Sequence, residues 1–135
     1  MNTDVWKLMD NAHALKQTDP QAALEGYNDA FNVLIDRAGK YACEQEDTAD
    51  VEILRTKTDV IFKRSKDYLR RDSTASTVLN EMGVLFMEMG EYDNAKQKFL
   101  ESIEYIPDGE DYSEPADNLE KVVILTAPEQ EEILE

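Results

Sequence analysis

The chain carries one histidine, His13, and one cysteine, Cys43, which sets a low ceiling on its chemistry. Cys43 has no cysteine or histidine at metal-ligand spacing, so zinc fails on ligand count. No glycine-rich phosphate loop and no nucleophile elbow is present. Residues 108–117 are rich in oxygen ligands but lack EF-hand spacing. The many carboxylates read as the background of solvated helices. His13 follows Trp6 and Met9 on one helical face, where packing is its expected role. The sequence therefore predicts no catalytic residue, no metal and no cofactor, and points to noncovalent binding. One cluster of side chains suits that purpose: Lys63, Arg64, Lys66 and Arg70 share a single amphipathic stretch and could hold an acidic partner. Exposed ion pairs are worth only about 0–1 kcal/mol each, but a cluster of one sign steers and orients a partner.

Charge is divided unevenly along the 135 residues, whose formal net charge is −16. Residues 51–71 hold seven basic against three acidic side chains, a balance of +4, whereas 101–135 hold twelve acids and one lysine, a balance of −11. The split predicts that the acidic C-terminal segment folds back over the basic helix. An overall acidic chain is expected to bind neither nucleic acid nor an anionic membrane, since both reward positive patches. An acidic mimic of nucleic acid, acting as an inhibitor, is the exception this composition allows. No apolar run approaches the ~20 residues needed to span a bilayer, and MNTDVWKLMDNAH lacks the pattern of a signal peptide. A lone cysteine suits a reducing compartment. A cytoplasmic protein without membrane insertion is the expectation.

The elements that must position these residues are helices. Residues 4–16 read as a first helix, with Val5, Trp6, Met9, Ala12 and His13 on its apolar face. Asp19-Pro20 starts a second helix, with aspartate as cap and proline in the first turn. Its inward stripe is Ala23, Leu24, Tyr27, Ala30, Phe31, Leu34, Ile35, Ala38 and Tyr41. Residues 43–50 read as a polar loop. A third helix is expected over 50–71, with Val51, Leu54, Thr58, Ile61, Phe62, Ser65, Tyr68 and Leu69 facing inward. A fourth spans 73–89, on which Leu79, Met82, Phe86 and Met89 fall three or four apart. Gly83 lies on that face without a side chain, which lets another helix approach. Gly90 can take a left-handed conformation and stop the helix. A fifth helix follows over 92–105, turning Tyr92, Ala95, Phe99, Ser102 and Ile103 back toward the fourth, and Pro107 closes the pair. After the loop 108–114, Ser113-Glu114-Pro115 starts a capping helix to 126 with Ala116, Leu119, Val122, Val123 and Thr126 on one side. The run VVIL could instead form a strand, but no partner strand is evident. Residues 127–135 read as a flexible acidic tail.

Leu79, Met82-Gly83, Phe86, Gly90, Tyr92, Ala95, Phe99 and Pro107 stand in the register of a tetratricopeptide (TPR) repeat. Residues 76–109 thus resemble one TPR unit, with Leu79 in place of the usual Trp, Met82 of Leu and Phe86 of Tyr. The first two helices resemble a degenerate unit in which Asp10 stands where glycine belongs, the connection is about one residue longer and no proline closes the repeat. Residues 8–70 also resemble the three-helix MIT domain, through Ala23-Leu24-x-x-Tyr27-x-x-Ala30 and Lys57-x-x-x-Ile61-x-x-Arg64-Ser65.

The TPR resemblance implies an all-α, compact array of antiparallel helical hairpins with five or six helices. It would form a single domain over 1–126, with degenerate helices over 1–72, the TPR hairpin over 73–109 and the cap over 113–126. It implies non-catalytic protein–protein binding, by an adaptor, assembly factor or small regulator. The partner would be a peptide or helical segment, acidic if the basic face takes part. Thr77, Asn80, Val84 and Met87 would face the groove. Lys7 and Asn11 have the spacing of the family's carboxylate grip. The MIT resemblance implies instead an adaptor for helical tails, bound beside the third helix. An array this short leaves apolar ends that a second copy could cover in a homodimer.

Overall fold

The computed structural model describes residues 3–44 and 58–134, which form six α-helices and, among the described residues, no strand. The expected loop over 43–50 and the start of the third helix, including Val51, Leu54 and Lys57, lie largely outside them. The helices are α1 (Thr3–Leu15), α2 (Pro20–Glu44), α3 (Thr58–Leu69), α4 (Thr74–Glu88), α5 (Tyr92–Glu104) and α6 (Glu114–Leu134). No described helix is long and apolar enough to cross a membrane.

The trunk is α2, whose first turn is capped as expected: the Asp19 carboxylate accepts from the Ala22 amide at 3.1 Å. Helices α1, α3 and α4 all place side chains in the core cluster with it. Val5, Met9 and Ala12 of α1 meet Ala23, Tyr27, Ala30, Leu34 and Ala38 of α2, Leu69 of α3, and Val78, Leu79 and Met82 of α4. The tightest approach of α1 to α2 is made by small residues. A Cβ placed on Gly26 would lie 2.9 Å from the Ala12 Cβ. The glycine of this hairpin is therefore on its second helix, opposite an alanine, and Asp10 is exposed.

In the hairpin of α4 and α5, Gly83 is roofed by the ring of Phe99: a Cβ there would stand 2.4–2.9 Å from three ring carbons. Phe99, Ala95, Leu79 and Met82 are buried. Two serines add a polar tie inside the same contact, the Ser76 hydroxyl donating to the Ser102 carbonyl at 2.9 Å and the Ser102 hydroxyl to the Ser76 carbonyl at 2.6 Å. Gly90 has φ of 78°, the Glu91 amide reaches back to the Phe86 carbonyl at 2.9 Å, and the Gly90 amide bonds the Met87 carbonyl at 3.1 Å. This pair of bonds is the Schellman end that Gly90 makes possible.

Several inward assignments fail where a helix has neighbours on too few sides. Trp6, His13, Ile35, Tyr41, Phe62 and Tyr92 are exposed. Among the side chains described on α6, Pro115, Asn118 and Val122 are buried and Val123 is exposed, a register about one residue away from the expected one. The VVIL run is helical, and α6 continues through Leu134, so no unstructured tail begins at 127. Glutamate, glutamine and leucine are strong helix formers, which favours that continuation. The acidic C-terminal segment does not follow the expected path either. Helix α6 packs on α5 and α4, because Val122 and Leu119 join Ala95, Phe99, Val84, Phe86 and Met87 in a second core cluster.

Candidate functional site

Of the four side chains expected to face an open groove, three are covered in whole or part by α6, and Thr77 lines a cleft that stays open. Asn80 is fully buried, and the Asn118 amide of α6 donates to its Oδ1 at 3.0 Å. Val84 and Met87 pack against the cluster that contains Val122, and Thr77 is half-buried. The reason is α6: its apolar side needs a partner, and this face of α4 supplies it.

The basic face of α3 is largely engaged within the fold. Lys66 pairs with Glu104 at 2.5 Å, and Arg70 pairs with Asp108 while its Nε donates to the Ile106 carbonyl at 3.4 Å. Lys63 holds Asp67 at 3.2 Å one turn along the same helix. Acids near the start of the acidic segment thus meet the basic helix. Lys7 and Asn11 are exposed on α1, and neither lines a cleft described below.

The open site lies between α1 and α4, both of which rest on α2. Two clefts meet at Trp6, which lines both. One, of about 450 Å³, is bounded by Leu34, Tyr68, Leu69, Arg71, Asp72, Thr74 and Ala75. There the Arg71 guanidinium stacks 5.0 Å from the Tyr68 ring centre and 5.9 Å from that of Tyr41. The other, of about 250 Å³, is lined by Met9, Asp10 and His13 of α1, Thr77 and Glu81 of α4, and Tyr27 of α2. Positions 6, 9, 10 and 13 lie three or four apart, so a single face of α1 forms one wall. Positions 77 and 81, one turn apart on α4, form the other. Joined at Trp6, the clefts make a trough walled by α1 and α4 over its smaller part and by α2, α3 and the first turn of α4 over its larger part.

The floor of the smaller cleft is chemically unfinished. Tyr27, which lines it, is 1 % exposed. Its hydroxyl closes no hydrogen bond among the described residues. A buried polar atom without a partner costs free energy, and such sites in native proteins call for an explanation. The Tyr27 hydroxyl is pushed up to about 12, first by burial and then by the charges of Glu81 and Glu88, so it stays a neutral phenol at pH 7. Half-buried Tyr112 is raised in the same direction by burial and by Glu114, against hydrogen bonding from Thr77 and Asn80. Glu81 holds Lys16 at 3.5 Å, a loose pair. Asp10 makes no ion pair among the described residues.

No protein-family model matches the chain, and no curated protein or solved structure matches it. The geometry therefore carries the functional argument. The sequence signal for this cleft was present but easily misread, because an exposed Trp6 and His13 look like ordinary members of an apolar stripe.

Proposed function

We propose that this chain is a non-catalytic protein-binding module of TPR-like helical hairpins, which holds a segment of a partner protein in the trough between α1 and α4. The observation that carries this reading is the floor of the smaller cleft, where the Tyr27 hydroxyl is buried without a partner among the described residues and exposed Trp6 lines the same cleft. Tryptophan is the residue most often found at binding hot spots, because it offers a large rigid face at low entropic cost. The trough is long, open and flanked by helices, a shape that suits an extended or helical segment better than a small metabolite. An adaptor, assembly factor or small regulator would use such a surface. The MIT-like alternative is weakened by Lys66 and Arg70, which already serve contacts inside the fold.

The test is to select peptides from a random display library against the full chain and map their contacts by amide chemical shifts. Shifts clustered on residues 6–13 and 71–81 are expected. A cluster on α3 would transfer the site to the MIT-like surface, and one confined to α6 would reject both.

A further inference from the structure

We infer that the smaller cleft receives a lysine or arginine side chain of the bound segment. The inference rests on the binding reading above and adds the chemistry of the ligand. Its walls carry Asp10 and Glu81, and its floor carries the unpartnered Tyr27 hydroxyl. Around them the field is negative: Glu81 and Glu88 act on Tyr27, and Glu114 and Glu81 act on Tyr112. Lys16 offsets part of this at Glu81, through one loose contact.

A lysine ammonium has three donors and an arginine guanidinium five, with no acceptor on either. Two carboxylates and a phenol oxygen form a matching set of acceptors. Trp6 and Met9 can cover the aliphatic stem, and a cation above an indole face gains further attraction. Other occupants fit less well. An acidic side chain would face Asp10 and Glu81 with like charge. An apolar one would exclude water from both carboxylates and leave the Tyr27 hydroxyl unpaired. The chain's net charge of −16 also steers basic segments toward it at long range.

The experiment uses the full chain and the selected peptides. Cleft-mapped peptides should be enriched in lysine or arginine at one position. Replacing that residue by norleucine should weaken binding about tenfold or more, as for a desolvated charge contact that loses one partner. The double substitution Asp10→Asn with Glu81→Gln should weaken the parent peptide equally. It should have little further effect on the norleucine peptide, because both changes remove the same interaction. Tyr27→Phe separates ligand contact from structural support. It should weaken binding severalfold while leaving the melting temperature unchanged or higher, since in the free protein that hydroxyl has no bond to lose. Peptides that map to residues 6–13 and 77–81 yet show no basic preference and no response to Asp10→Asn and Glu81→Gln would overturn the inference alone, as would an acidic preference. Shifts away from α1 and α4 would overturn the binding reading with it.

Discussion

The two helical hairpins solve one packing problem with opposite placements of the small residue. In α4–α5 the glycine is on the first helix, and an aromatic ring from the second fills the space above it. In α1–α2 the glycine is on the second helix and faces Ala12, methyl group first and backbone behind it. The first arrangement buries a large apolar ring and adds the reciprocal Ser76–Ser102 bonds. The second brings two backbones together with little side-chain volume, and is tied at its outer end by an exposed ion pair of Arg37 with Asp4. Close approach of helices therefore does not depend on a glycine at one fixed position. How tightly the contact is specified does depend on what fills the gap.

The comparison is broken most directly at Phe99. Phe99→Ala should cost roughly 3–5 kcal/mol, the usual range for a buried aromatic. A melting midpoint within a few degrees of the wild type would show that this ring does not hold α4 and α5 together. Next is Gly83→Ala, where the new methyl would overlap a fully buried ring that has nowhere to go. We expect a loss of about 1–3 kcal/mol, typical of overpacking, measured by urea unfolding. Gly26→Ala sharpens the contrast. Its methyl meets another methyl at 2.9 Å, and the improved helix propensity of about 1 kcal/mol offsets part of the clash. The net change should be smaller than at Gly83, and adding Ala12→Gly should restore the lost stability by returning the volume. Failure of that rescue would mean that the Ala12–Gly26 contact does not set the α1–α2 distance.

The smallest effect is expected at Asp4. Arg37 holds its carboxyl below the ordinary 3.8. A depressed folded-state value means that the pair stabilises the protein above about pH 3.8 and that this contribution fades as pH falls through the lower folded value. Asp4→Asn should lower melting at pH 7 slightly and lose less on acidification, so that the two proteins converge at the acid end. An unaltered acid limb would place the pair outside the fold's energetics.

The α4–α5 hairpin was legible in the sequence because its determinants lie close together along the chain. Gly83, Gly90, Ala95 and Phe99 act on one another within two turns and one tight connection. The α1–α2 contact was not legible in the same way, since Asp10 stands at the usual glycine position and the small pair that packs is Ala12 with Gly26. The site was less legible still. It joins residues 6–13 to residues 77–81 through a tertiary seam, and no local pattern shows that α1 will leave Trp6 on a rim. Asn80, Val84 and Met87 of the expected α4 groove were covered for a related reason, while Thr77 stays on the wall of an open cleft. Whether a face stays open depends on where the next helix lands, and Asn118, a polar residue, gave no hint that it would be buried against Asn80. The charge split pointed to the C-terminal acidic segment as the cover of the basic helix, whereas α6 packs elsewhere and the acids that meet the basic helix are Glu104 and Asp108 at the end of α5.

Lys66 and Arg70 reach from α3 to Glu104, Ile106 and Asp108 at the far end of α5, and the ring of Phe31 on α2 leans on Tyr105 at 6.3 Å. A stack of helical units that touch only their nearest neighbours bends and stretches like a spring. These ties skip a helix and act as struts across the coil. Exposed ion pairs are weak singly, so these struts bias the geometry more than they lock it. The spacing of α3 and α5 is thus set from two directions, through α4 and directly, and a shift of α4 alone would strain contacts in which it takes no part.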